Sequence, residues 1–220
     1  MSSLSSLHKD IGTLRDDLLN MGGLVEEAVD GAVRALKNRD AQLAERVISG
    51  DSRIDKMENM IDEDCLKLLA TQQPVAQDLR FITSVLRISG YLERIADQAV
   101  NLAQRAQIIA GLDPIEIPLT VLEMAAEAQE MIAGSLNAFV QEEIDLARAV
   151  CRRDDIVDQL NHSLLEEMIS VMMNERRMTR SGLEIIPAGR HLERMGDGAT
   201  NISEAVVFMV QGTIIRHQPD

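Results

Sequence analysis

From Leu4 to Lys37 apolar side chains recur at steps of three and four: Leu4, Leu7, Ile11, Leu14, Leu18, Met21, Val25, Ala28, Ala32 and Ala35. A period near 3.6 predicts one long amphipathic helix. Gly22-Gly23 weakens its middle by about 1 kcal/mol per glycine relative to alanine and allows a bend there. Asn38-Arg39-Asp40 reads as a turn, with Asp40 as the next N-cap. A second helix is expected from Ala41 to Gln72, where Val47, Ile54, Ile61 and Leu68 form a strict seven-residue seam and Asp51, Asp55, Glu58 and Asp62 run along its edge. Pro74 suits the first turn of a third helix, which runs to Ala110 on a seam that includes Leu79, Ile82, Val85, Leu92, Ile95 and Ala99.

Two prolines and a glycine in residues 111–118 mark a linker, which divides the chain into units 1–112 and 113–220. The second unit repeats the first. A fourth helix is expected from Pro118 to Val140, with Met124, Met131 and Ala138 standing 103 residues after Met21, Ala28 and Ala35. A fifth, from Glu143 to Met173, has the seam Val150, Val157, Leu164 and Val171, again 103 residues after its counterparts. A sixth runs from Met178 to Gln211, where Pro187 removes a backbone donor and should kink it. The tail 216–220 is expected to be loose. The fold expected is all-α: two tandem three-helix bundles, six long antiparallel helices related by an internal pseudo-two-fold repeat.

Within this pattern one stretch is duplicated closely. Leu92-Glu93-Arg94-Ile95-Ala96-Asp97-Gln98-Ala99-Val100-Asn101 returns 100 residues later as Leu192-Glu193-Arg194-Met195-Gly196-Asp197-Gly198-Ala199-Thr200-Asn201, with six of ten positions identical. The offset falls from 103 to 100, so the connection before the sixth helix should be three residues shorter than its counterpart. Glu93, Asp97 and Asn101, and likewise Glu193, Asp197 and Asn201, lie at i, i+4 and i+8. On a helix that spacing aligns them in one row beside the apolar seam. Asp51 and Asp55 can face the first row across a groove between helices, and Asp154 and Asp158, at the equivalent positions, can face the second. Four carboxylates so close repel one another unless a cation is present.

An acidic pair at i, i+4 is weak evidence alone, because most such pairs sit on solvated helix faces; the repetition strengthens it. An all-oxygen set without His or Cys suits Mg²⁺, Mn²⁺ or ferric iron better than zinc. Arg94 and Arg194 are read as ion-pair partners of neighbouring helices. His162 and His191 are read as partly buried core residues, and most of the 12 methionines as core filling.

Composition narrows the function. Aromatic residues make up 2% of the chain and there is no Trp, which favours helix-on-helix packing over sandwiches or barrels. The net charge of −14 argues against nucleic acid and against direct attachment to an anionic membrane. Cations or basic protein surfaces are the expected partners. Cys65 and Cys151 are isolated and suit reduced thiols in an intracellular protein. No apolar run approaches the roughly 18 residues that span a bilayer, so no membrane insertion is expected. Phosphate-loop, dinucleotide, nucleophile-elbow and zinc-protease motifs are absent, as are the Glu-x-x-His pairs of a di-iron bundle.

The motifs Leu92 to Asp97 and Leu192 to Asp197, the following Asn101 and Asn201, Asp78-Leu79-Arg80 and the duplicated three-helix plan resemble the PhoU family over nearly the whole chain. Where that family often has His directly after the Asp, this chain has Gln98 and Gly198. The resemblance implies a cytoplasmic, non-enzymatic negative regulator of the phosphate-starvation response, held peripherally at the inner membrane through its partners. Those partners would be the ATPase of a phosphate ABC transporter and a phosphate-sensing histidine kinase, and a homodimer is a further assembly open to the chain. It also implies metal ligation by Glu93, Asp97, Glu193 and Asp197, with Asp51, Asp55, Asp154 and Asp158 as their partners. A metal-dependent hydrolase of phosphate compounds, using a two-metal site, is the alternative.

Overall fold

The apolar periodicities become long helices, and a computed structural model describes them over residues 2–215. The side chain of Leu4 and the tail 216–220 lie outside the described residues. In chain order the helices are α1 (Ser2–Asn38), α2 (Ala41–Gly50), α3 (Ser52–Gln72), α4 (Ala76–Ala110), α5 (Leu119–Gln141), α6 (Ile144–Cys151), α7 (Asp154–Asn174) and α8 (Thr179–Gln211), with a 3₁₀ turn at Arg176–Met178. No strand occurs among the described residues. Asp40 caps α2 as expected, its carboxylate accepting from the backbone N–H groups of Gln42 and Leu43 at 3.0 and 2.9 Å.

Two of the six expected helices are interrupted. The second breaks into α2 and α3 at Asp51, and the fifth into α6 and α7 at Arg152-Arg153. These residues keep right-handed helical dihedrals (Asp51 φ −56°, ψ −42°; Arg152 φ −70°, ψ −17°), so each break is a change of pitch rather than a reversal. The connection before α8 is no shorter than its counterpart: residues 175–178 stand against 73–75. The three missing residues come instead from the first turn of α8, which begins at Thr179 where the register of α4 would begin at 176. Pro187 is accommodated inside α8 without interrupting it.

The two motif-bearing helices form the centre. Arg80 Nε donates to the Met209 carbonyl at 3.3 Å, Gln98 Oε1 lies 3.0 Å from His191 Nδ1, and Arg105 pairs with Glu184 at 2.8 Å. Positions that rise along α4 therefore meet positions that fall along α8, so the pair is antiparallel. Gly198 admits the close approach, because a Cβ there would stand 2.6 Å from Ile95 Cγ1. Leu92, Ile95, Ala99, Leu192, Met195 and Ala199 are all fully buried along this pair. Burial of each large aliphatic side chain stabilises the fold by about 1.5–3 kcal/mol.

The shorter helices are placed by repeated contacts. Gly31 of α1 leaves room for Val47 of α2, and Gly134 of α5 leaves the same room for Val150 of α6; a Cβ would stand 2.8 and 2.9 Å from the respective Val Cγ2. The halves are also joined at one end by Arg15. Its guanidinium lies 5.1 Å from the Phe81 ring centroid and 5.8 Å from that of Phe139, and it pairs with Glu142 at 2.6 Å. One cation thus ties α1, α4 and α5 together. No helix among the described residues is long and apolar enough to cross a membrane.

Candidate metal centres

The alternation that buries one face of each motif turns the other toward α3 or α7. In the first half Glu93 and Asp97 of α4 meet Asp51, Asp55 and Glu58, which lie at the α2–α3 break and on the first turns of α3. Burial first, and then Asp97, Glu58 and Asp55, push the Glu93 carboxyl up from 4.5 to about 6, with Arg94 acting the other way. Burial also raises Asp51, helped by Asp55 and Asp97. Glu58 rises through burial and through Asp62, Asp55 and Asp97. Burial leads in each case, and neighbouring carboxylates without enough opposite charge add to it.

The second half has the same plan with fewer charges. Burial, Glu193 and Asp158 raise Asp197; burial and Asp158 raise Glu193; burial and Asp197 raise Asp154. Two neutral donors relieve this cluster. Asn161 Nδ2 donates to Glu193 at 2.8 Å, and the Thr200 hydroxyl donates to Asp154 at 3.2 Å. Asn161 stands where the first half has Glu58, and Thr200 where it has Val100. The first half thus gathers five carboxylates and the second four with an amide and a hydroxyl. The repeat offsets identify both substitutions once they are applied position by position.

All eight carboxylates expected at the sites are therefore brought together in two groups of four, each across a helix–helix groove. The two asparagines, also expected as metal ligands, extend the rows by one turn. Asn201 Nδ2 donates to the backbone carbonyl of Asp197 at 2.7 Å, so its amide caps its own row, and Asn101 is half-buried one turn beyond Asp97. Among the described residues no three His, Cys, Asp or Glu side chains converge on one ligating point. The donor chemistry is nonetheless that of a hard cation, every group being a carboxylate oxygen, and the neighbouring carboxylates add to burial in raising Glu93.

The neighbouring residues depart in part from expectation. Arg94 lies over the ring of Tyr91 on its own helix, 5.9 Å from the centroid, and its charge also acts on Glu58 of α3. His162 is exposed rather than buried, its Nε2 3.5 Å from Glu166. His191 is half-buried against Gln98, and burial with Arg105 and Arg194 lowers its pKa. Gln98 thus fills a structural role at one of the positions where the family often has His, and Gly198 at the other serves the close packing on Ile95. Cys65 is buried, its thiol pushed up to about 12, while Cys151 is partly exposed and pushed up to about 11, in both cases mainly by burial.

Fold and site together define a class: an all-α protein of two like three-helix repeats, each carrying an acidic row across a groove. The family model described as the PhoU domain matches residues 18–106 and again 121–206, and the chain belongs to the PhoU family. It is 41% identical over 211 residues to a "Phosphate-specific transport system accessory protein PhoU homolog" of Pseudomonas aeruginosa, covering 94% of this chain and 86% of that one. The homolog of Aquifex aeolicus is 35% identical, with 96% of each chain covered. The crystal structure of PhoU from Pseudomonas aeruginosa superposes with a TM-score of 0.89 at 40% identity, over 94% of this chain and 99% of that one. That of the phosphate transport system regulatory protein PhoU from Streptococcus pneumoniae gives 0.87 at 27% identity, over 94% and 98%.

Proposed function

We propose that this chain is an accessory regulator of a phosphate transport system, which restrains phosphate uptake and the phosphate-starvation response when phosphate is plentiful. The observation that carries this reading is the match of both repeats to the PhoU domain, together with relatives named as accessory proteins of phosphate-specific transport at up to 41% identity. The chain would act by contact rather than by turnover, linking the ATPase of a phosphate ABC transporter to a phosphate-sensing histidine kinase. A surface of net charge −14 supports docking on basic protein faces. The place of action would be the cytoplasmic side of the membrane, reached through those partners.

In this reading Glu93, Asp97, Asp51 and Asp55 hold a divalent or ferric ion in the first half, and Glu193, Asp197, Asp154 and Asp158 hold one in the second. A cation there supplies positive charge that lets the carboxylates stay ionised at short range. The residues do the positioning. The buried seams of α3 and α7 fix Asp51, Asp55, Asp154 and Asp158 against the rows on α4 and α8. Asn161 and Thr200 orient Glu193 and Asp154 by hydrogen bonds. Output is a shift in the conformational equilibrium of the kinase, whose size equals the difference in affinity of the chain for its two states.

The test is a phosphate-starvation reporter in the source organism lacking this gene, grown in phosphate-rich medium. Expression should switch on, and the wild-type gene should silence it. A reporter that stays off in the deletion strain, with no paralogue able to substitute, would overturn the reading.

A further inference from the structure

We propose that the open groove between α5, α7 and the linker is a docking site for an amphipathic helix of a partner protein, apolar on one face and flanked by basic residues. The internal repeat supplies the shape of the occupant. Asp17 of α1 lies beside Asp64 of α3, and Thr120 of α5 donates to Glu167 of α7 at 2.9 Å; both members of the second pair stand 103 residues after those of the first. From that shared point the halves diverge. In the first, α1 continues toward its N-terminus past the last turns of α3 with Leu14 beside Leu68, and Leu14 and Leu7 are buried to 2% and 5% exposure. In the second, α5 begins at Leu119, and the proline-flanked linker takes the place of that helical extension.

The surface left open is a groove of about 520 Å³, floored by Ile117, Leu122, Met168, Val171 and Met178, with Leu119 at its edge. Leu119 is 68% exposed. Such an apolar lane beside a helix suits knobs at i, i+4 and i+7 of another helix. Its counterpart in the first half is lined by Leu14 of α1 beside Leu68, and Leu7, Ile11 and Leu14 of that helix have the same spacing. Glu116 and Glu167 line the rim beside Glu175, which already pairs with Arg177 at 3.0 Å, so Lys or Arg flanking the apolar stripe of the occupant complements the first two.

This chain is a poor source of the occupant. Its α1 extension is already buried in its own half, so a second copy donating that segment would uncover as much as it covered. Residues 212–215 leave α8 beside Arg80, Arg87 and Tyr91, at the pole of the bundle away from Met178. The need for a partner rests on the accessory reading; the groove itself does not.

The test uses the purified full chain and a fluorescein-labelled synthetic helical peptide of about five turns. The peptide carries Leu at i, i+4, i+7 and i+11 and Lys on its flanks, and binding is read by fluorescence anisotropy. Binding should have a Kd on the order of 10 µM. Leu119→Asp, at an exposed position that leaves the melting temperature unchanged, should weaken it about tenfold. The double change Glu116→Lys with Glu167→Lys should weaken it similarly, and a peptide with Glu in place of Lys should bind at least about tenfold less tightly. No binding at millimolar peptide, equal binding of the acidic peptide, or indifference to Leu119→Asp would overturn the proposal. So would a dimer of the chain that dissociates in the Leu119→Asp variant. Because no transporter or kinase is present, the groove can fail while the reporter experiment still succeeds, and the reverse.

Discussion

Glu93 faces Asp55 and Glu58 of α3 and Asp97 of its own helix, with Arg94 as the nearby cation, and its carboxyl is raised from 4.5 to about 6. In the metal-free protein the folded state therefore keeps a proton that the unfolded chain releases. The stability this contributes is present below about pH 4.5 and is lost as pH rises through about 6. The metal-free chain should melt at progressively lower temperature across that window. Glu93→Gln removes the charge, so above pH 6 the metal-free variant should melt higher than wild type and with a weaker pH dependence. Calorimetric scans in the presence of a chelator check this, and an equal or lower melting temperature in the variant would contradict it. The eight carboxylates were legible from their spacing, because i, i+4 on a helix fixes a common face and the repeat doubles the signal. Asn161 and Thr200 were harder to find. Their roles are hydrogen bonds across helices, set by packing geometry rather than by local pattern.

Helices were legible wherever apolar periodicity ended at a proline, a glycine or a capping aspartate. The breaks at Asp51 and at Arg152-Arg153 were not, because the seams Val47–Ile54 and Val150–Val157 continue across them in step and the break residues stay helical in their dihedrals. The same reasoning separates the glycines. At Gly198 a methyl would meet Ile95 Cγ1 at 2.6 Å in the centre of the α4–α8 contact, whereas Gly23 of α1 has nothing within 4 Å of such a methyl. Gly198→Ala should destabilise by about 1–3 kcal/mol through overpacking, despite the better helix propensity of alanine. Gly23→Ala should stabilise by up to about 1 kcal/mol. Urea denaturation of both variants tests the contrast, and a stabilised Gly198→Ala chain would contradict the close antiparallel contact at the centre. The Arg15 junction with Phe81, Phe139 and Glu142 was invisible to any local reading, because its members are distant in sequence and meet only when both halves are assembled.

At the scale of the whole molecule the two halves share one core yet differ at their surfaces. The first has five clustered carboxylates and a complete α1; the second has a hydrogen-bonded cluster and an open groove. A duplicated fold thus carries two unequal acidic clusters, the more highly charged one in the first half, and in the proposed reading each holds a cation. The most direct test is isothermal titration calorimetry of the purified, metal-free chain with Mn²⁺, on wild type, Asp97→Asn, Asp197→Asn and the double variant. Wild type should give two classes of binding, the tighter lost in Asp97→Asn and the weaker in Asp197→Asn, with no binding in the double variant. Heats indistinguishable from dilution in wild type, or binding that persists in the double variant, would contradict the assignment of the acidic rows as metal sites.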